Sequence, residues 1–571
     1  MNHINIPNHL KQYIVQQDTD NYSIIDHSAW SFIMRISVPF YKKYAHASYF
    51  DGLHKTGITL NSIPSIKNMN EKMSKFGWGA IAVRGFIPPW AFMEFQTLGL
   101  LPIACDMRSR EHLTYTPAPD IVHESSGHCP IIINEEYANF LKEYGAIASK
   151  AIFSKEDEDI YYAIRSLSDL KENRNSSMKD IKSAEKKLKL LKKNQKELSE
   201  ANLLSRLHWW TVEYGLIGSL KSPKLYGAGL LSSVGESQNC LSKNIKKIPL
   251  TIDCINYNYD ITEQQPQLFV AENFNHLSEV LKEFSNNMSF KVGGTLGLDR
   301  AQKSGTVCSV KFDSNFVVSG KIIKFLSSKD LIPIYINFIG PTQLSYNNSE
   351  IKNHGGDYHK DGFGCPIGKL KNSSLSIHDL TKNDLKKLKI IKNKYSIIEF
   401  ESGILIKGII KNILFYHNKV SIISVDNCYV SNKSEKLFDP EWGTYDLFSS
   451  NKVSSVFGGP SDFNSYKKFI VNINDKKISQ LNNVLNNNDS DSKMISLYEK
   501  TQNNKNNLNE LHKIALVLEK YYPDEWLLRF IIYSHSFKIE KEWIIKIRSY
   551  LNSYKPNSDL NKAIIRGVDT L

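Results

Sequence analysis

The chain has 571 residues, 41% of them hydrophobic and 23% charged, and carries a formal net charge of +13. That length suggests two to four domains with ordinary globular cores. No run of about eighteen apolar residues occurs, so no membrane span is expected. The opening MNHINIPNHLKQYIVQ also lacks the basic-then-apolar pattern of a secretory leader.

A basic chain can bind polyanions, but here the lysines are spread among asparagines and isoleucines along the whole length, and no nucleic-acid-binding motif is present. Neither a nucleic-acid nor a membrane partner is expected. The seven cysteines (Cys105, Cys129, Cys240, Cys254, Cys308, Cys365 and Cys428) are scattered and never form C-x-x-C. They read as reduced thiols in a cytoplasmic protein.

Residues 1–24 form an N-terminal segment. DHSAWSFIMRISVPFYKKYA (26–45) has helical periodicity, and RGFIPPWAFMEFQTLG (84–99) reads as a loop entering a short helix at Pro88 and Pro89. Residues 156–201 change character. Ile181, Ala184, Leu188, Leu191 and Leu198 make an amphipathic stripe on a highly charged segment, which predicts a helical-hairpin insertion. LLSRLHWWTVEYGLIG (203–218) predicts a buried helix. YGAGLLSSVGESQ (226–238) is rich in small residues and must be tightly packed or close to a ligand. NFNHLSEVLKEF (273–284) predicts a helix ending this region. From about residue 290, short β-branched runs such as VCSVKF and KVSIISV predict a β-rich domain over 290–481. NNVLNNNDSDSK (482–493) reads as a polar linker, and residues 494–571 as a helical C-terminal region.

The stretch TPAPDIVHESSGH (116–128) holds the most chemistry. His123 and His128 are five residues apart. On an α-helix that spacing puts them about 140° apart, against about 40° for the four-residue spacing of the zinc-protease motif H-E-x-x-H. A regular helix would not aim both imidazoles at one ion, although Gly127 allows the turn to widen. The best third ligand is Glu213, a carboxylate in the aromatic, apolar HWWTVEYGL, costly there unless paired or metal-bound. Two histidines and a carboxylate suit Fe(II) oxygenases. A zinc hydrolase uses the same ligand types, so ligand type leaves both open. A second loop, GGDYHKDGFGCPIG (355–368), offers Asp357, His359 and Asp361 as metal or ligand groups, with a plain glycine-rich turn as the preferred reading.

HSAW (27–30), FGWGAIAVRGFIPPWAF (76–92), MRSREHLTY (107–115), TPAPDIVHESSGH, HWWTVEYGL and YGAGLLSSVGESQ follow one another in order. Together they make residues 25–289 resemble the catalytic domain of the pterin-dependent aromatic amino acid hydroxylases, most closely the bacterial phenylalanine hydroxylases. The resemblance implies the mostly α-helical fold of that family, interrupted by the 156–201 insertion. It implies Fe(II), tetrahydrobiopterin or a related tetrahydropterin, and O2 as co-substrate. His123, His128 and Glu213 match the iron ligands. Arg108 matches the arginine that pairs with the substrate carboxylate, and Thr116, Pro119, Trp209 and Ser232 match residues lining the amino acid pocket. Phe92 matches the aromatic residue stacking on the pterin, with Gly85 and Ile87 beside it, and Glu124 matches a glutamate facing the pterin near the iron.

Three positions depart from the family. Ser125-Ser126 replaces an apolar pair, His208 stands where a tyrosine near iron and pterin is usual, and Ala118 replaces an acid. Glu124 and His208 are the candidate catalytic groups. The implied reaction is ring hydroxylation of phenylalanine to tyrosine, a step of phenylalanine catabolism, with tyrosine and tryptophan as alternative substrates. Rivals of another class are a zinc-type hydrolase and a non-catalytic binding protein built on the same fold. The N-terminal segment is too short for the regulatory domain of animal members, so allosteric activation of that kind is not expected. Residues 290–571 match no family by these motifs, and the oligomeric state is open.

Overall fold

The computed structural model describes residues 4–571 except 86, 109, 111–112, 115–118, 173–175, 196, 261–263, 372, 434 and 471–488. Helix α1 (Ile24–Tyr44) starts at a capping box, in which Ser23 accepts from the Asp26 backbone and the Asp26 carboxylate accepts from the Ser23 backbone. It runs through the largest core, burying Trp30, Phe32, Ile33 and Ile36. Parallel strands β1 (Gly79–Val83) and β2 (Leu100–Ala104) flank α2 (Pro89–Thr97), whose prolines stand at its start as the sequence predicts. A π-helix, Val122–His128, follows, then α3 (Glu135–Ala148).

Helices α4 (Lys155–Glu172) and α5 (Met178–Asn194) form the expected hairpin around their own small core of Ala163, Leu167 and Leu188, lined by Ile160, Ile164, Ile181, Ala184 and Leu191. Leu198 does not belong to that stripe: α5 ends at Asn194, and Leu198 beyond it is 42% exposed. Helix α6 (Glu200–His208) runs directly into a second π-helix, Trp209–Glu213. Strands β3 (Leu216–Ser219), β4 (Ser222–Leu225), β5 (Lys246–Pro249) and β6 (Gln267–Ala271) make a sheet of order β4-β3-β6-β5. Between β4 and β5 lies α7 (Ala228–Ser232), and α8 (Phe274–Ser285) follows β6.

After α9 (Gly294–Ser304) the chain is strand-rich. One sheet has the order β10-β9-β8-β7-β17, with β11 also paired to β9. It comprises β7 (Val307–Phe312), β8 (Phe316–Ser327), β9 (Pro333–Tyr346), β10 (Ser349–Glu350), β11 (Gly362–Pro366) and β17 (Val453–Gly458). The other has the order β12-β13-β14-β15, with β16 on β14. It comprises β12 (Tyr395–Glu399), β13 (Ile404–Tyr416), β14 (Lys419–Asn432), β15 (Glu435–Phe438) and β16 (Tyr445–Leu447). Alternating β-branched residues bury one core around Val310, Val318 and Phe338 and another around Ile398, Ile406 and Val425. Most of the stretch read as a polar linker, 482–488, lies outside the described residues.

From Asp489 onward the described chain is helical. This tail consists of α10 (Asp489–Asn503), α11 (Leu508–Tyr521), α12 (Trp526–Ser536), α13 (Glu542–Ser553) and α14 (Asp559–Asp569). Leu511, Trp526, Phe530 and Ile564 share the main core with α1, and Phe32 meets the rings of Trp526 and Phe530 edge-on at 5.0 and 4.9 Å. The strand-rich region is tied to the first half by buried Glu200. Glu200 accepts from the backbone and hydroxyl of Ser289 at 2.7 Å each, and pairs with Arg300 at 3.0 Å. Among the described residues, no helix is long and apolar enough to cross a membrane.

Candidate metal centre

The five-residue spacing of the histidines is resolved by the local backbone. Val122–His128 is a π-helix, whose i→i+5 bonding brings side chains five apart onto one face. His123 Nε2 and His128 Nε2 stand 3.2 Å apart. The same device operates on the second strip: Trp209–Glu213 is also a π-helix, and His208, five residues before Glu213, lies with Nδ1 3.9 Å from Glu213 Oε1. Small residues let the two strips close up. A Cβ on Gly127 would fall 2.7 Å from the Ala228 carbonyl oxygen, and one on Gly227 would fall 2.5 Å from that of Glu213. The small-residue run 226–238 is therefore a packing seam against both π-helices.

Glu213 completes the trio. Its Oε2 is 3.3 Å from His123 Nε2 and its Oε1 is 3.3 Å from His128 Nε2. Such separations are what bonds of about 2.1 Å to one shared centre would produce. Burial alone would raise the Glu213 carboxyl, but His128 and His123 hold it well below the usual carboxylate range. Burial lowers His123, yet Glu213 beside it pushes it up to about 9.

Ser232 fixes the orientation of His123. Its hydroxyl donates to the Ala228 carbonyl at 2.8 Å and lies 2.9 Å from His123 Nδ1. With its one proton spent, the hydroxyl accepts from Nδ1–H, so Nε2 is the nitrogen that faces the centre and that a metal would engage in place of its proton. His128 Nδ1 and Glu124 Oε2 are buried with no hydrogen-bond partner. Two imidazole nitrogens, a carboxylate and a nearby unpartnered buried carboxylate form a donor set that a divalent cation fits. Glu124 Oε2 is 3.9 Å from His128 Nε2, and burial raises its carboxyl, with His128 and His123 acting against that. His208 sits beside the trio rather than in it. Burial lowers it to about 4, leaving it neutral, and its Nε2 has no partner.

The serines at 125 and 126 turn away from the centre. Ser125 donates to the Ile121 carbonyl and Ser126 to that of Val122, the latter at 2.7 Å, so both hydroxyls are satisfied by their own helix.

Arg108 is buried and its guanidinium is already engaged. Nε and Nη2 donate to the two carboxylate oxygens of Asp120 at 2.7 and 2.8 Å, and Nη1 donates to the Ser232 carbonyl at 3.1 Å. Asp120 also accepts from the His123 backbone at 3.0 Å, so one carboxylate ties the arginine to the histidine strip. The sequence reading missed Asp120, although an acid three residues before His123 is a signal for a cap on that turn. Trp209 stacks on Tyr214 and Tyr259 at 4.6 and 4.4 Å, and its Nε1 donates to Gln265 at 3.3 Å. Its ring contacts in this structure are thus with two tyrosines. Pro119 is exposed, and Thr116 lies outside the described residues.

The β1–α2 connection carries the other predicted group. Gly85 adopts φ 61° and donates to Asp106 at 3.2 Å, Ile87 packs against the small core of Leu10, Ala91 and Phe95, and Phe92 is half-buried on α2. Among the described residues, no hydrogen bond joins these three to the histidine trio.

A family profile described as biopterin-dependent aromatic amino acid hydroxylase matches residues 13–164 and 183–293. All the hydroxylase-like motifs of the sequence fall within these matched residues. The match runs into both helices of the hairpin and is interrupted at 165–182. Phenylalanine-4-hydroxylase of Chromobacterium violaceum is 28% identical over 268 residues, covering 46% of this chain and 75% of that protein. The Pseudomonas aeruginosa enzyme of the same name is 27% identical over 278 residues, covering 48% and 89%. The Homo sapiens one is 29% identical over 262 residues, covering 45% and 48%. A crystal structure of the Chromobacterium violaceum enzyme with bound iron(III) and oxidised 7,8-dihydrobiopterin aligns at a TM-score of 0.37 and 24% identity, over 50% of this chain and 94% of that one.

Proposed function

We propose that the hydroxylase half converts phenylalanine to tyrosine, using Fe(II), O2 and a tetrahydropterin such as tetrahydrobiopterin. One observation carries the reading: within a stretch matched to the biopterin-dependent family, His123 Nε2, His128 Nε2 and the Glu213 carboxylate converge at 3.2–3.3 Å. Bound there, iron and the tetrahydropterin together supply the activation of O2.

The chain's own residues bind, orient and exclude. Ser232 turns His123 Nε2 toward the centre, and Glu213 presents both carboxylate oxygens to the same point. Asp120 holds Arg108 rigid, so that guanidinium hydrogens outside the Asp120 pair remain for a substrate carboxylate. Trp209, braced by Tyr214 and Tyr259, and Pro119 line the amino acid site. Phe92 offers a face to the pterin ring beside Gly85 and Ile87, and the buried Glu124 faces the pterin from the iron side. Neutral His208 stands next to Glu213, where it adds no charge to the centre. Burial of the trio keeps bulk water from the reacting ring. Phenylalanine is preferred over tyrosine and tryptophan because the relatives named for their substrate act on phenylalanine.

The test is an assay on protein reconstituted with Fe(II), supplied with O2 and tetrahydrobiopterin and given phenylalanine, tyrosine and tryptophan separately. Tyrosine formed from phenylalanine, dependent on both iron and pterin, is the expected result. Hydroxylation of tryptophan or tyrosine alone keeps the reaction and replaces the substrate. Absence of any hydroxylated product overturns the reading.

A further inference from the structure

The strand-rich region contains a second convergence of metal-ligand groups. His354 Nδ1 lies 3.2 Å from His359 Nε2 and 3.9 Å from Asp446 Oδ2, and the three ligand atoms all fall within 4.8 Å of one another. All three side chains are buried: His354 is 6% exposed, His359 8% and Asp446 3%. The site joins the two sheets. His354 and His359 lie in the connection between β10 and β11 of the first sheet, and Asp446 lies on β16 of the second.

The backbone and the surrounding groups hold this arrangement. The His354 carbonyl accepts from Leu344 N–H at 2.9 Å and the His359 carbonyl from Thr342 N–H at 3.1 Å, which pins both histidines to β9. Ser424 donates to Asp446 Oδ1 at 2.6 Å and aims the carboxylate. That leaves Asp446 Oδ2, the oxygen facing His354, buried without a well-formed hydrogen bond, with the Tyr358 hydroxyl the nearby donor. A buried carboxylate oxygen so poorly satisfied is costly, and the two imidazole nitrogens, 3.2 Å from each other, share at most one proton between them. A cation placed among the three satisfies every one of those atoms.

We propose that His354, His359 and Asp446 bind a divalent transition-metal ion, zinc by its preference for two imidazoles and a carboxylate, which clamps the two sheets of the C-terminal region together. Seating all three donors asks the carboxylate to move by roughly 1 Å, a side-chain adjustment. Tyr358 packs edge-on against both imidazoles at 5.3 and 4.8 Å and caps the cluster. Three protein ligands leave a fourth position for water or another small ligand. The glycine-rich loop flagged in the sequence thus contributes His359, while its acids Asp357 and Asp361 are exposed and the partners come from His354 and a distant strand.

The test uses the full chain carrying His123→Ala and His128→Ala, so that the hydroxylase centre no longer competes. The protein is stripped with chelator, titrated with Zn2+ alone, desalted and analysed for metal, and Co2+ is used in parallel as a spectroscopic probe. One retained zinc per chain is expected, with a rise in melting temperature. Adding Asp446→Asn, nearly the same shape as aspartate, should weaken zinc binding by at least about tenfold and remove the melting shift. His359→Ala should do the same. Should either variant fail to fold, the retained zinc and the Co2+ spectrum of nitrogen and oxygen ligation in the parent carry the result. No retained zinc in the parent, or equal retention in the folded Asp446→Asn variant, overturns the proposal.

Discussion

Ser232 Oγ and His123 Nδ1 stand 2.9 Å apart, and because the serine's proton goes to the Ala228 carbonyl, the proton between them belongs to the histidine. A helical residue outside the histidine strip thereby sets which nitrogen of His123 is free for a metal. Ser232→Ala removes the acceptor and lets the ring change tautomer or rotate. Iron affinity should fall by roughly 10- to 100-fold, the usual effect of losing such a partner. Equilibrium dialysis against Fe(II), with circular dichroism to confirm folding, measures it. Unchanged affinity in a folded variant would show that His123 needs no such support.

Gly127 is the position where the π-helix touches α7. An added Cβ meets the Ala228 carbonyl oxygen at 2.7 Å, and that backbone atom cannot rotate away. Gly127→Ala should therefore destabilise by about 1–3 kcal/mol and push apart the strips carrying His128 and Ser232. Thermal melts and iron content should fall together. A loss of stability with full iron content would separate the packing role of Gly127 from the metal centre.

Several features of this site are legible in the sequence. The two histidines, the stranded Glu213 and the small-residue seam at 226–238 each announce themselves by residue type. The five-residue spacings were the obstacle, since a regular α-helix would split both His123 from His128 and His208 from Glu213. The π-helical turns that close these gaps depend on packing between strips far apart in the chain, which periodicity does not register. The same holds for the tail. Its amphipathic helices are visible in sequence, but not that Trp526 and Phe530 would finish the core around Phe32. Of the cluster of His354, His359 and Asp446, only His359 stands out in the sequence, because His354 falls just before the glycine-rich loop and Asp446 comes from a strand in the other sheet.

Asp120 is the buried counterion of Arg108 and accepts from the His123 backbone. Asp120→Asn leaves a buried guanidinium without its charge partner, a change that typically costs about 3–5 kcal/mol. Where the variant remains folded at low temperature, Arg108, the proposed partner of the substrate carboxylate, is no longer held in place, so KM for the amino acid should rise more than kcat falls. Steady-state kinetics at saturating pterin tests this. A drop in kcat with unchanged KM would place Asp120 in support of the metal strip rather than of substrate binding.

Glu236 provides a pH dependence that does not involve the metal centre. It is buried next to the tail. Burial pushes its carboxyl up to about 7, with hydrogen bonds from the Gln265 backbone and Asn239 holding it down in part and Asp559 of α14 adding to the rise. The folded state thus favours the protonated form. The stabilisation is fully present below the unfolded value near 4.5 and is lost as pH rises through about 7. A shift of that size corresponds to roughly 3 kcal/mol between the two ends of the window. Denaturation curves at pH 5, 6, 7 and 8 should show the wild-type chain losing stability across this range through Glu236, while Glu236→Gln, which cannot ionise, shows a flatter dependence and is the more stable of the two at pH 8. Parallel curves for the two proteins would mean that Glu236 ionises without cost in the folded chain, and that the contact between α14 and the 226–238 seam is wetter than its burial indicates.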